Sequence, residues 1–162
     1  MKRTLFSFTL FLIFIATATA HAEYYFLKAK HSGKCLHVHG AARNDGANIT
    51  QWTCGNQSNM MFEKVNAGGE YFFLRARHSG KCVHVHGASK DNNGNITQWS
   101  CQNQSHFKWK QQSAGSGYYY IVNQNSNKCL QVYNSSNDNG ANITQWSCVN
   151  QPNVQWQLVP AR

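Results

Sequence analysis

Acidic residues are scarce in this sequence: only six Asp and Glu residues occur in 162, against 15 Lys and Arg. No pair of these acids is placed reproducibly for acid–base catalysis, and no serine stands in a Gly-x-Ser-x-Gly setting. Asp45, Asp91 and Asp138 lie in turns rich in Asn and Gly, where an Asp usually caps the backbone. The chain is therefore predicted not to be an enzyme.

A long apolar run is also missing, because a retained membrane helix needs about 20 apolar residues. The longest mostly apolar stretch, Leu5 to Ile15, follows the basic start Met1-Lys2-Arg3 and precedes small residues. This is the pattern of a secretory signal peptide over residues 1–22, with cleavage after Ala20 or Ala22. We expect the remaining 23–162 to form one secreted domain, extracellular or periplasmic, that does not span a membrane.

No segment has the sustained period of an amphipathic helix. Instead, the chain repeats itself every 47 residues without an insertion or deletion, and self-similarity at a fixed period indicates one supersecondary unit built several times. The repeated residues are Cys35, Cys82 and Cys129; Cys54, Cys101 and Cys148; and Trp52, Trp99 and Trp146, each tryptophan preceded by Ile-Thr-Gln.

Each repeat predicts about four short strands. An aromatic run such as Tyr24 to Leu27 is good strand material, and residues 35–39 alternate apolar and polar side chains. The Ile-Thr-Gln-Trp segment is expected to be a third strand, and a fourth is expected to end at Phe62, Trp109 or Trp156. The chain is predicted to be all-β.

Six cysteines in an exported chain favour disulfides over a metal cluster. Each repeat holds two cysteines 19 positions apart, so the simplest arrangement has one disulfide per repeat. The pairs are Cys35–Cys54, Cys82–Cys101 and Cys129–Cys148.

Positive charge dominates the predicted mature chain, where 13 basic and six acidic residues give +7. Such a charge favours anionic polysaccharides, anionic lipids or nucleic acid, and a simple solvated surface explains it equally well. The partners we expect are glycans or glycoconjugates, acidic ones among those the charge allows, and we expect no nucleic acid.

The cysteine spacing, the Trp two residues before the second cysteine and the Asn-Gln-x-x-x-x-Trp ending resemble the ricin-type β-trefoil lectin domain. The resemblance covers nearly all of the predicted mature chain. It implies a β-trefoil with pseudo-threefold symmetry, repeats at about 24–70, 71–117 and 118–162, and carbohydrate binding. A β-propeller fits less well, because propellers usually have four to eight blades.

The resemblance also implies up to three sugar sites. The family's aromatic platform corresponds to Trp52, Trp99 and Trp146, whereas Phe62, Trp109 and Trp156 match the structural core ring. The family's carboxylate position holds His37, His84 and Gln131, and its Asn position holds Asn59, His106 and Asn153. The family's Gln is replaced by Met60, Phe107 and Val154. Because residues i and i+2 of a strand share a face, His39, His86 and Tyr133 are expected to join these sites.

The missing carboxylates weaken any prediction of galactose specificity, although His and Gln still hydrogen-bond hydroxyls. The first two sites are predicted to be alike and the third to differ. An exposed imidazole titrates near pH 6.5, so His37, His39, His84 and His86 are expected to gain charge together between roughly pH 7.5 and 5.5.

Three other functions are open to this sequence. The His-x-His pairs could ligate zinc or copper, with His31 or His78 as a third ligand, but the third repeat has Asn125, Gln131 and Tyr133 there, so we expect no metal or cofactor. A cell-surface-binding subunit of a toxin, or another protein-binding trefoil, is the main alternative to a lectin. A loop-based protease inhibitor is less favoured, because no long unique loop interrupts the repeats.

Overall fold

A computed structural model describes residues 23–161, and the predicted signal peptide lies outside them. Twelve strands and no α-helix make up this part of the chain. The strands are β1 (Tyr24–Ala29), β2 (Cys35–Val38), β3 (Ile49–Trp52), β4 (Phe62–Gly68), β5 (Tyr71–Ala76), β6 (Cys82–Val85), β7 (Ile96–Trp99), β8 (Lys108–Gly115), β9 (Tyr118–Asn123), β10 (Cys129–Val132), β11 (Ile143–Trp146) and β12 (Trp156–Pro160). None of the described helical turns is long and apolar enough to cross a membrane.

Six strands close into a barrel. Antiparallel pairing runs from β1 to β4, β5, β8, β9 and β12, and β12 pairs again with β1. The other six form the hairpins β2–β3, β6–β7 and β10–β11. Isolated bridges such as Asn48 with Thr97 join the hairpins to one another. The predicted β-trefoil is confirmed.

The core is itself threefold. Each of its layers takes one apolar side chain from each repeat, and all of these side chains are at most 1% exposed. The layers are Leu27, Leu74 and Ile121; Leu36, Val83 and Leu130; Ile49, Ile96 and Ile143; and Phe62, Trp109 and Trp156. Burying such side chains contributes roughly 1.5–3 kcal/mol each, so the repeated apolar pattern selects the fold. The core position predicted for Phe62, Trp109 and Trp156 is correct.

All three predicted disulfides are present, each joining cysteines 19 residues apart. Two strand boundaries were predicted wrongly. The fourth strand begins rather than ends near Phe62, Trp109 and Trp156, because residues such as Phe62–Gly68 form a long hairpin with the next repeat. The second strand stops at Val38, and His39 opens a 3-10 turn in which Gly40 has φ 60°.

Candidate functional site

The three repeated tryptophans end strands β3, β7 and β11, where successive side chains point to opposite faces. Gln51, just before Trp52, therefore points inward and is fully buried, whereas Trp52 is 38% exposed. Trp99 and Trp146 are half-buried. The indoles thus lie at the surface, as predicted, on rigid strands whose inner faces are held by the core.

Each tryptophan is also bordered by a loop from another repeat. Asn139 Oδ1 accepts a hydrogen bond of 2.8 Å from the backbone N–H of Thr53, beside Trp52. Asp45 does the same for Ser100, beside Trp99, and Asn92 for Ser147, beside Trp146. The capping role predicted for Asp45 is correct, but it caps its neighbour's strand rather than its own turn. Each site is therefore built by two repeats, which the sequence did not indicate.

Site one gathers His37, His39 and Trp52. The His37 and Trp52 ring centroids are 5.5 Å apart, and His37 and His39 are 6.2 Å apart. His37 Nδ1 lies 3.0 Å from Thr50 Oγ1. Asn59 is buried, and its Nδ2 donates a hydrogen bond of 2.9 Å to the Val38 carbonyl, which holds the end of β2 in place.

Site two is a cavity of about 290 Å³ formed mainly by rings. His84 stacks on the buried Phe107 at 4.6 Å and 11° between planes. Its Nε2 lies 2.8 Å from Thr97 Oγ1. His86, Trp99 and His106 surround it, with centroids 5.6–6.2 Å from that of His84.

Site three is a cavity of about 270 Å³ that carries amides where site two carries rings. Gln131 Nε2 donates to Thr144 Oγ1 at 2.9 Å, and Asn153 Nδ2 donates to Gln131 Oε1 at 3.2 Å. Asn153 Oδ1 is buried with no partner among residues 23–161. Tyr133 and Trp146 also line this cavity, so the structure brings the predicted residues of this site together.

Burial changes the charge state of the two inner histidines. Desolvation, followed by the nearby His39 and His78, lowers the pKa of His37 to about 4. Desolvation, followed by His106 and His86, lowers the pKa of His84 to about 4. The expectation that these two histidines titrate near pH 6.5 was therefore wrong: it assumed exposed rings, and both are at most 8% exposed. At pH 5.5 to 7.5 they are neutral.

The proposed third metal ligands do not support a metal centre. His31 Nε2 lies 2.9 Å from the Ser136 carbonyl, and His78 Nε2 lies 2.9 Å from the Ala42 carbonyl. Both rings thus tie their repeat to the loop of another. Within residues 23–161, no group of three His, Cys, Asp or Glu side chains is arranged to hold a metal ion.

Several lining residues were missed by sequence reasoning. Phe107, Gly87 and Gln102 border site two, and Asn93 and Gln151 border site three. Asn93 was detectable, because it interrupts the repeat: the equivalent residues are Gly46 and Gly140. All three positions have positive φ, which Asn tolerates better than most residues.

Comparison with known proteins agrees with this geometry. The sequence profile of the ricin-type β-trefoil lectin domain-like family matches residues 7–99, 61–146 and 112–162. The chain therefore belongs to the ricin-type β-trefoil lectin family. No curated protein sequence matches the chain.

Among solved structures, the designed threefold-symmetric protein ThreeFoil is 40% identical, with a TM-score of 0.83 over 84% of this chain and 97% of that one. An exo-β-1,3-galactanase from Clostridium thermocellum is 30% identical, with a TM-score of 0.84. That match covers 87% of this chain but only 31% of the galactanase chain. The C-half of an earthworm R-type lectin, solved in complex with GalNAc, is 16% identical with a TM-score of 0.69 over 85% of this chain and 98% of that chain. It shows the same fold.

Proposed function

We propose that this protein is a secreted, non-enzymatic lectin that binds glycans at up to three sites. The observation that carries the proposal is the threefold recurrence of a partly exposed tryptophan beside polar side chains. One face of a pyranose is a patch of C–H groups that packs on an indole, while its hydroxyls reach sideways to polar partners. Such polar side chains are His37 beside Trp52, His86 and Gln102 beside Trp99, and Gln131 beside Trp146.

The electrostatics of the sites favour neutral sugar surfaces over strongly charged ones. His37 and His84 are neutral at physiological pH because burial lowers their pKa to about 4. One nitrogen of each ring already faces a threonine hydroxyl, so the two neutral imidazoles shape the sites without adding charge to them. The net positive charge of the protein acts at longer range, where it attracts glycoconjugates that carry acidic groups outside the bound sugar.

A glycan array with the mature chain, residues 23–162, tests the proposal. A single shallow site typically binds at millimolar strength, about −4 kcal/mol, and three sites on one surface raise the apparent affinity by about 10²–10⁴. Replacing Trp52, Trp99 and Trp146 together by Ala should abolish retention on the glycans bound by the wild type.

A matched control is available in the barrel. Tyr24, Tyr71 and Tyr118 are also 47 residues apart and half-buried, and no described site uses them. The triple Tyr→Ala variant should keep binding if both variants remain folded by circular dichroism. Equal retention by the wild type and the Trp variant would place the sugar site elsewhere, and absence of binding to any glycan would contradict the lectin proposal.

The alternative, a cell-surface-binding subunit of a toxin, would use the same glycan sites and add a protein partner. The hemolytic lectin CEL-III has a similar fold, with a TM-score of 0.70 and 24% identity, over 84% of this chain and 30% of that one. That likeness shows the fold alone. Binding to cells that is lost in the triple Trp variant would fit both proposals, whereas binding that survives it would favour a protein partner.

A further inference from the structure

Sites two and three occupy equivalent positions and have similar volumes, about 290 and 270 Å³. Their linings differ in kind. Site two is lined mostly by rings: His84, His86, Trp99, His106 and Phe107. Site three places amides beside Trp146: Asn93, Gln131, Asn134, Gln151 and Asn153. Any difference between the ligands of the two sites must therefore come from the chemistry of the lining residues and not from the volume of the cavity.

Phe107 fixes the character of site two. It is 1% exposed and stacks on His84 at 4.6 Å, so the imidazole lies flat against an apolar ring. The equivalent residue in site three is Val154, and Gln131 there turns to Thr144 and Asn153 instead. Burial also lowers the pKa of His84 and of His106, so the pocket favours uncharged groups.

The neighbouring repeat adds a second difference. At site two its loop contributes Gly46, where an added Cβ would lie 3.7 Å from Trp99 Cζ3. At site three the equivalent residue is Asn93, whose Oδ1 lies 3.4 Å from Gln131 Nε2. Site two thus has no side chain at this position, whereas site three adds another amide there.

Resting on the lectin function proposed above, we propose that site two selects sugars that carry an acetamido group, whereas site three binds hydroxyl-rich hexoses without that preference. The acetamido methyl suits the ring-lined wall of site two, because burying one methyl-sized group favours binding by roughly fourfold. Its N–H and C=O need polar partners, which Gln102 and the exposed His86 supply at the rim. In site three the amides pair better with hydroxyls than with a methyl group.

The test uses the indole N–H signals of the ¹⁵N-labelled mature chain. There are five tryptophans, and Trp109 and Trp156 serve as internal references because their buried N–H groups donate to Val83 and Leu130 carbonyls. Trp99 and Trp146 are assigned with single Trp→Phe variants. Two sugar pairs are titrated: N-acetylgalactosamine against galactose, and N-acetylglucosamine against glucose.

At Trp99 we expect the acetamido sugar of at least one pair to bind about fourfold or more tightly than its parent hexose. At Trp146 the two sugars should agree within about twofold. The variant His84→Gln/His106→Asn places the residues of site three in site two, and it should remove the preference at Trp99 while leaving Trp146 unchanged. If this variant does not fold, the affinity ratios measured at Trp99 and Trp146 of the wild-type protein test the proposal by themselves.

Equal ratios at Trp99 and Trp146, or a preference found at Trp146, would overturn the assignment while leaving the lectin function intact. A site-three response with no response of Trp99 to any sugar would also overturn it. If no indole signal moves with any of the four sugars and no glycan on the array is bound, the lectin proposal itself fails.

Discussion

Asn48 Nδ2 donates a hydrogen bond of 2.8 Å to Oδ1 of Asn142, which lies 94 residues further along the chain. Asn142 donates in the same way to Asn95 at 2.9 Å, and Asn95 to Asn48 at 3.1 Å. The three amides therefore form a closed ring where the three hairpins meet. Each of them is also the first residue of an Asn-Ile-Thr sequon, so this ring gives the repeated asparagine a structural role.

Breaking this ring should destabilise the whole fold. Asn95→Ala removes one donor and one acceptor, and it leaves partly buried groups of Asn48 and Asn142 without partners. Such a loss costs about 1–3 kcal/mol in the free energy of unfolding, which urea denaturation measures. Asn103→Ala, at an exposed loop position, is the control and should change stability by less than about 0.5 kcal/mol. Equal effects of the two variants would show that the ring contributes nothing.

The buried glutamine before each tryptophan is a second tie between repeats. Gln98 is fully buried. Its Nε2 donates hydrogen bonds of 2.8 and 3.1 Å to the carbonyls of Ala42 and Asn44 in the first repeat. Its Oε1 accepts a hydrogen bond of 2.8 Å from the Ser79 hydroxyl. We expect Gln98→Met to cost about 1–3 kcal/mol, because polar groups stay buried without partners.

The matched control for Gln98→Met is Gln112→Met, at an exposed position on β8. Chemical denaturation of both variants measures the difference. A stability of Gln98→Met equal to that of the control would mean that water replaces the lost amide at no cost.

Much of the fold was predictable, because the 47-residue period copies every core layer three times. Leu36, Val83 and Leu130, for example, are equivalent in both sequence and space. The strand ends were less predictable. A run such as Phe62 to Gly68 gains its strand partner only from the following repeat, and a local pattern carries no information about that pairing.

The sites were predicted in part. The exposed Trp52 follows from alternation along its strand, but the loop residue Asn139 beside it comes from the third repeat. Equally, His37 looked like a solvent-exposed group in the sequence. Its burial, and hence its lowered pKa, depends on packing that no local pattern describes.

Acid should weaken the fold through His37 and His84. Their native pKa of about 4 lies below the usual unfolded value near 6.5. Between these values the unfolded chain binds protons that the native chain does not, so stability is lost as the pH falls from about 6.5 towards 4. At pH 4.5 the loss should be roughly 2 kcal/mol for each histidine.

Urea denaturation at pH 7 and pH 4.5 measures this loss. The variant His37→Gln/His84→Gln introduces the residue that the third repeat already has, Gln131, and it should flatten the dependence on pH. An unchanged dependence in the variant would mean that other groups cause the acid sensitivity.

Substitution by Phe should have different effects at a core tryptophan and at a surface tryptophan: the first should lose stability and the second should lose sugar binding. Trp109→Phe installs the residue of the first repeat, Phe62, but it removes the 2.9 Å hydrogen bond to the Val83 carbonyl and leaves a cavity at a fully buried position. We expect it to cost about 2–3 kcal/mol in unfolding free energy. Trp99→Phe should cost less than about 1 kcal/mol, since its indole is partly exposed, yet it should weaken sugar binding at site two. Urea denaturation of both variants measures stability. Because Trp99→Phe removes the indole that reports site two, sugar binding there is followed by the backbone amide signals of His86 and Gln102, which line the site. Equal destabilisation by the two substitutions would place Trp99 in the core rather than at a binding surface.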